Sequence, residues 1–276
     1  MANTARVFIS FDVEAWFQVE NLRPAFPPES WDSLDLRLTE PIGHVLHILA
    51  KHEAKATFFV LGCIAKRQPE LVSRIAEAGH EIACHGHAHQ LPSRLGPRLF
   101  REDLCQARDV LEGIVGKRVL GFRAPSFNYP PWIPEILVKE GFVYSSSLFP
   151  TVAHDRYTPV PADVKGKWLF QWECGLHEIL VSSLPMAGRH LPWGGGGYFR
   201  ILPSGLFRAG VRKILKEGRP FVFYLHPWEI DPDQPRVRTI SRMARFRHYL
   251  GLSRTARHLD KLLAEFGGLP LKSLVS

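Results

Sequence analysis

Three histidines fall within the five residues His85-Gly-His87-Ala-His89, directly after the apolar stretch Glu81-Ile-Ala-Cys84. His85 and His89 are four residues apart, so in a helical turn or a tight loop their imidazoles could reach one cation. Imidazole nitrogens are common ligands of Zn²⁺ and of similar divalent ions such as Co²⁺ and Mn²⁺. The spacing therefore predicts two ligands of a metal site.

Two carboxylates at the end of the N-terminal apolar run Val7 to Val13 could complete this site. Asp12 and Glu14 are two residues apart, so they point the same way from a strand. Two imidazoles and one carboxylate leave positions open for water and substrate. Because a carboxylate bound to a cation keeps little basicity, one acid is expected to bind the metal and the other to act as a base.

Two more polar residues end apolar runs later in the chain. Arg123 is a fixed cation that could pair with Asp12 and hold it ionised, or could form an ion pair that is only structural. His226 follows the apolar run Phe221 to Leu225 and is suited to general acid catalysis, with a hydrogen-bonded structural role as the alternative.

The elements that position these residues are predicted from hydrophobic periodicity. Strands are predicted over residues 6–13, 56–61, 80–84, 119–122, 142–146, 168–172, 179–183 and 220–225. Helices are predicted over residues 40–51, 69–78, 98–113, 131–140, 204–217 and 254–266. The alternation is typical of a mainly parallel sheet, and the candidate residues lie at the carboxyl ends of its strands, which converge on one rim of a barrel.

The composition suits a single α/β domain in a soluble, cytoplasmic protein. The chain has 276 residues and 45% hydrophobic content, with no apolar run of 18 residues and no signal-peptide pattern. Four cysteines without a CxxC pair predict reduced thiols rather than a cysteine metal site.

The net charge of +8 is concentrated in residues 206–258, which hold twelve Lys or Arg against four Asp or Glu. This region is either a solvated basic face or a surface that meets anionic glycan or lipid. No nucleic-acid motif accompanies it, so no nucleic-acid partner is expected.

Taken in order, these motifs resemble those of the polysaccharide deacetylases, the NodB-homology group also called carbohydrate esterase family 4. The similar segments are Ser10-Phe-Asp12-Val-Glu14, His85-Gly-His-Ala-His89, Arg123-Ala-Pro125 and Tyr224-Leu-His226. The chain also resembles the branch of this family found with exopolysaccharide and exosortase loci. The similar segments are Arg67-Gln-Pro-Glu70, Gly194-Gly-Gly-Gly-Tyr-Phe-Arg200, His226-Pro-Trp-Glu-Ile-Asp-Pro-Asp233 and the arginine-rich tail from Pro235.

The resemblance implies a distorted TIM-like (β/α)₇ barrel in residues 1–235 and a basic helical extension, residues 236–276, packed on it. It also implies metal-dependent removal of N-acetyl groups from the amino sugars of a polysaccharide. The N-acetylated glycan would then be the partner, as an exopolysaccharide or its precursor.

Functional roles follow from the resemblance residue by residue. Asp12 matches the base, and Arg123 matches the arginine that orients it. His226 matches the acid, and His85 and His89 match the imidazole ligands.

Two departures from the family pattern affect this assignment. Most members have a second acid where Val13 stands, so the carboxylate ligand is assigned to Glu14, one residue later. The segment Tyr144-Ser-Ser-Ser147 lacks the acid common in this branch. Asp155 and Glu229 are therefore the candidates for tuning the catalytic histidine.

Several residues near the motifs are predicted to contact sugar, because flat rings suit stacking on sugar faces, with core packing as the alternative for each ring. They are Trp16, Pro125, Trp193, Tyr198 and Trp228. The glycine run 194–197 is predicted to be a mobile loop at the cleft or a linker.

Two other functions stay open. One is a metal-independent amide or ureide hydrolase of the allantoinase-like type, and the other is a carbohydrate-binding protein without catalysis. Retention of a base, an arginine and an acid argues against the second. For the deacetylase, the expected place of action is the inner membrane face, with the basic C-terminal region near anionic headgroups.

Overall fold

The computed structural model describes residues 6–150, 158–161, 166–186 and 189–275. Asp155, one of the two acids considered for tuning the catalytic histidine, lies outside these ranges. Within them, none of the helices combines the length and the apolar character that crossing a bilayer requires.

The described strands form a curled sheet and one separate hairpin. In chain order they are β1 (Val7–Val13), β2 (Thr57–Val60), β3 (Glu81–Cys84), β4 (Gly121–Phe122), β5 (Tyr144–Ser145), β6 (Leu169–Gln171), β7 (His177–Ile179), β8 (Leu184–Met186), β9 (Arg189–Leu191) and β10 (Phe221–Leu225). The sheet order is β10-β1-β2-β3-β4-β5-β7-β6, parallel throughout except for the β6–β7 pair, while β8 pairs with β9. The predicted α/β fold with a distorted TIM-like barrel is confirmed.

Helices connect these strands and cover the outside of the sheet. Those in the described ranges are α1 (Thr39–Lys51), α2 (Gly62–Arg67), α3 (Pro69–Glu77), α4 (Pro92–Val115), α5 (Ile133–Lys139), α6 (Gly196–Ile201), α7 (Ser204–Lys216), α8 (Arg242–Tyr249) and α9 (Leu252–Phe266). In α3, Pro69 occupies the first turn, where its missing N–H costs nothing, and Gly79 follows the helix with a φ of +80°. Leu71, Val72 and Ile75 form the buried stripe that holds α3 on the barrel.

The elements that the sequence did not predict are short or irregular. Helices α2, α6 and α8 span six to eight residues, too few for a clear 3.6-residue period. Helix α4 begins earlier than predicted and bends at Gly96, whose φ is +71°. The prediction placed a strand at 179–183, but the observed strand β7 lies earlier, at His177–Ile179.

Backbone contacts outside the named strands link β10 to the segment after β7. Ser182 donates its N–H to the carbonyl of Val222 at 3.0 Å, and Tyr224 donates to the carbonyl of Gly194 at 2.9 Å. A Cβ atom on Gly194 would lie 2.5 Å from the Val222 carbonyl oxygen. The prediction of a mobile loop or linker at 194–197 is therefore wrong. Glycine stands at position 194 because the backbone of β10 comes too close for a side chain, and not because the segment is flexible.

Replacing Gly194 by Ala is expected to destabilise the protein by about 1–3 kcal/mol, because the added methyl group overlaps the backbone of β10. Gly197→Ala is the matched control, since a Cβ atom there meets nothing within 4 Å. Urea unfolding of both variants measures the difference. Equal unfolding midpoints would contradict the close packing of Gly194.

The C-terminal residues pack on the barrel. Helix α9 lies against α1 and α6 and buries leucines along one face. Beyond it, Leu269 donates its N–H to the carbonyl of Val7 at 3.0 Å and accepts the N–H of Ile9 at 2.9 Å. The domain boundary between residues 235 and 236 stays a prediction.

Candidate active site

Three side chains converge on one point above the sheet. Oε1 of Glu14, just beyond β1, lies 2.9 Å from Nε2 of His85 and 2.9 Å from Nε2 of His89. All three residues are buried. Nδ1 of His85 lies 2.8 Å from the carbonyl oxygen of Arg123, which can only accept, so Nδ1 donates to it and Nε2 is the nitrogen that faces Glu14.

The loop that carries these histidines is braced by Asp103 on α4. Its carboxylate accepts the backbone N–H of His87 at 2.6 Å and that of Ala88 at 3.0 Å. Gly86 has a φ of +78°, and a Cβ atom there would come within 3.0 Å of the same carboxylate. The ring of His87 packs closely against Gly62 rather than joining the triad.

Arg123 is fully buried and holds Asp12 in place. Its NH1 donates to Oδ1 of Asp12 at 2.7 Å and to Oγ of Ser10 at 2.8 Å. Its NH2 donates to Oγ of Ser146 at 2.8 Å, and the guanidinium lies over the ring of Phe59 at 4.2 Å. Asp12 is thus fixed by a partner that cannot lose its proton.

His226 lies on the other side of the triad. Its Nε2 is 3.9 Å from Oε1 of Glu14, and its Nδ1 is 3.1 Å from Oε2 of Glu229. Glu229 is in turn paired with Nε of Arg200 at 2.8 Å. Burial lowers the pKa of His226, but the negative charges of Glu14, Glu229 and Asp12 outweigh it and raise the pKa to about 9.

Opposing effects also act on the pKa of Glu14. Burial alone would raise its pKa. The nearby charges of His89 and His226, and hydrogen bonds with His85 and His89, lower the pKa well below its usual range. Glu14 is therefore ionised and suited to binding a cation.

A cleft of about 160 Å³ opens above these groups. It is lined by Asp12, Glu14, Val19, Glu20, Asn21, His89, Ser126, Phe127, Tyr224 and His226. Three of the five non-glycine residues with positive φ in the described ranges lie here: His89, Ser126 and Phe127. Such strained backbone persists where the surroundings fix it, and it is common at functional sites.

The structure does not bring the residues predicted to contact sugar into this lining. Trp16 and Trp193 are buried and donate their indole N–H groups to backbone carbonyls, while Trp228 is buried between two histidine rings. Tyr198 stacks on Trp193, and Pro125 is buried beside the cleft. Nearness to a motif in sequence did not place these side chains on the cleft side of the backbone.

The aromatic lining comes instead from residues that were not predicted to contact sugar. Phe127 and Tyr224 pack with ring centroids 5.0 Å apart. Tyr224 is two residues before His226, so the two-residue period of the strand could have identified it. Glu20 and Asn21 belong to a single 3₁₀ turn after β1 (Glu20–Leu22), which is too short to give a periodic signal.

Two family models match separate parts of the chain, and residues 1–30, with Asp12 and Glu14, lie outside both. Residues 31–145 match the family model described as polysaccharide deacetylase, and residues 146–275 match one described as a domain of unknown function, DUF3473. The chain therefore carries a polysaccharide deacetylase domain, of the NodB-homology group or carbohydrate esterase family 4, followed by DUF3473. The DUF3473 part supplies His226, Glu229 and Arg200, so both parts contribute to the site.

Named relatives cover only part of this chain. A peptidoglycan deacetylase of Helicobacter pylori is 28% identical over 46% of this chain and 42% of its own. A chitooligosaccharide deacetylase of Sinorhizobium fredii is 31% identical over 48% of this chain and 50% of its own. The chain thus spans half or less of the length of these curated relatives.

A solved structure supports the fold over the whole chain. A candidate polysaccharide deacetylase from Mycobacterium smegmatis aligns with a TM-score of 0.69 at 21% sequence identity. The alignment covers 99% of this chain and 88% of that chain. The structural similarity to that protein therefore extends through residues 146–275, the part that matches DUF3473.

Replacing Glu229 by Gln is expected to lower the pKa of His226, because a buried negative charge 3.1 Å from Nδ1 is removed. A general acid works only while protonated, so if His226 has that role, the alkaline limb of the pH–rate profile should move to lower pH. The measurement is acetate release from an N-acetylated oligosaccharide against pH. Glu217→Gln on the surface is the control, and an unshifted limb in the Glu229 variant would contradict the assignment.

Proposed function

We propose that the protein is a metal-dependent hydrolase that removes N-acetyl groups from the amino sugars of a polysaccharide. One observation carries this proposal. Ligand atoms of Asp12, Glu14 and His226 lie within 4.8 Å of one another, beside the triad of Glu14, His85 and His89. A base, a cation site and an acid therefore reach the same small volume of the cleft.

The triad fits a divalent metal. Two imidazole nitrogens and one ionised carboxylate converge, and the backbone carbonyl that accepts the Nδ1 proton of His85 is a typical outer partner of a metal-binding histidine. The donor set of two nitrogens and one oxygen favours Zn²⁺, with Co²⁺ and Mn²⁺ as alternatives. Such an ion supplies Lewis-acid polarisation of the amide carbonyl and makes water a better nucleophile.

The chain's own residues then move the protons. Asp12, held by Arg123, accepts a proton from the water that attacks the amide carbon. As an imidazolium beside the Glu229 carboxylate, His226 donates the proton from Nε2 to the nitrogen as the C–N bond breaks. One water is consumed, and the products are acetate and the amino sugar with its amine protonated.

The substrate class follows from the size of the cleft and from the relatives. A volume of about 160 Å³ suits an acetamido group with part of one sugar ring, and Phe127 and Tyr224 supply an apolar wall. The named relatives are deacetylases of peptidoglycan and of chitooligosaccharides. The motif resemblance favours an exopolysaccharide or its precursor.

Acetate release tests the proposal. Metal-free protein is assayed on N-acetylated glucosamine oligosaccharides and on N-acetylated exopolysaccharide fragments, with Zn²⁺, Co²⁺, Mn²⁺ or none. We expect release that depends on added metal and stops in chelator. Full activity in the metal-free protein would favour the amide or ureide hydrolase, and glycan binding without acetate release would favour the non-catalytic alternative.

A further inference from the structure

Four exposed arginines surround one open cavity of about 560 Å³ at helix α8. We call this the arginine surface, and it consists of Arg236, Arg238, Arg242 and Arg245 with Phe246 and Tyr249. Within the described ranges, none of these four guanidinium groups pairs with a carboxylate. Four cations without carboxylate partners around one cavity favour the binding of anions.

Exposed apolar side chains accompany these charges. Phe246 is 58% exposed and Met243 is 60% exposed, both on α8. They are three residues apart and therefore lie on the same side of the helix. Large apolar side chains beside cations are suited to the boundary between lipid headgroups and acyl chains.

Hydrogen bonds hold helix α8 against the barrel. The buried Arg200 donates hydrogen bonds to the carbonyls of Arg247, His248 and Leu250 at 2.8–3.1 Å. Tyr249 donates to a backbone carbonyl at 2.8 Å, beside the arginines. The arginine surface is therefore preformed rather than part of a free tail.

A stack of rings connects this surface with the cleft. His226 stacks on Trp228 at 5.2 Å, and Trp228 stacks on His248 at 4.6 Å. His248 meets Tyr249 edge-on at 4.6 Å, and Tyr249 lies under the guanidinium of Arg236 at 4.5 Å. A partner bound to the arginine surface is thus separated from His226 in the cleft by only a few side chains.

We infer that the arginine surface docks the protein on a bilayer containing anionic phospholipids. The guanidinium groups bind the lipid phosphates, and Phe246 and Met243 enter the boundary between headgroups and acyl chains. A soluble anion would use the arginines alone and would leave both apolar side chains in water, so charge and apolar exposure together favour the lipid surface. The inference does not depend on the proposed deacetylase activity.

Vesicle co-sedimentation of the full chain tests this inference. Vesicles of phosphatidylcholine alone are compared with vesicles containing phosphatidylglycerol, at low salt and at physiological salt. We expect binding only to the anionic vesicles, weakened by salt. Replacing both Arg242 and Arg245 by Gln should weaken binding roughly 25-fold, about fivefold for each arginine, and Phe246→Ser should also weaken it.

The control removes the same charge elsewhere in the basic region. Lys213 and Lys216 are exposed on α7, and replacing both by Gln should leave vesicle binding nearly unchanged. Equal losses in the two double variants would overturn the inference, as would failure of the wild-type protein to bind anionic vesicles at low salt. Inorganic phosphate that raises the unfolding temperature of the wild-type protein but not of the Arg242 and Arg245 variant, together with no vesicle binding, would also overturn the inference. The surface would then bind a free anion. Circular dichroism confirms that each variant is folded.

Discussion

Asp12→Asn is expected to lower kcat for acetate release by about 10²–10⁴-fold, the usual contribution of a general base. Asparagine matches aspartate in shape but cannot accept the proton of the attacking water. Arg123 keeps its hydrogen bonds to Ser10 and Ser146, so the geometry around it should survive. Steady-state acetate release at saturating glycan measures the loss.

Two further measurements separate lost catalysis from lost structure. Asp12 is not a member of the group of Glu14, His85 and His89, so the Asp12 variant should still bind zinc with wild-type stoichiometry. Asp109→Asn on the exposed side of α4 is the matched control and should keep full activity. An Asp12 variant with wild-type turnover would remove Asp12 as the base.

Glu14→Gln is expected to abolish metal binding and, with it, activity. Glutamine keeps the shape of the side chain but removes the single negative charge among the three ligands, leaving two neutral imidazoles for a dication. The loss of affinity should exceed the 10–100-fold typical for removing an outer partner of a ligand. Bound zinc after dialysis, determined by elemental analysis, measures it directly.

Thermal unfolding gives a second readout for the same variant. A bound metal stabilises the folded state by about 2.7 kcal/mol when its concentration is 100 times Kd. Wild-type protein should therefore unfold at higher temperature when zinc is added, and the Glu14 variant should not respond. Glu20→Gln changes the same charge in the same cleft and should keep the zinc response. Stoichiometric zinc in the Glu14 variant would show that the triad is not the metal site.

The strands that carry the site could be predicted from the sequence because their signals are local. Alternation along β1 places Ser10, Asp12 and Glu14 on one side of the strand, and the structure brings Glu14 to His85 and His89. The rule that polar residues at the carboxyl ends of parallel strands converge was enough to group residues more than two hundred positions apart.

The supports of the site could not be predicted, because they depend on tertiary contacts. Asp103 braces the histidine loop from the middle of a helix, where its spacing from the motif carries no signal. Glu229 was only one of two candidates for tuning His226, and its pairing with Arg200 required α6 and the strand end to meet. Ring side chains near the motifs turned inward, since periodicity does not determine rotamers or loop direction.

Anomalous diffraction at the zinc edge, from crystals grown with Zn²⁺, tests the central claim most directly. We predict one strong peak coordinated by Glu14, His85 and His89, with Asp12 and His226 facing it from the cleft. A map with no peak among these three side chains, or with the metal held elsewhere, would contradict the assignment of this cleft as a metal-dependent hydrolytic site.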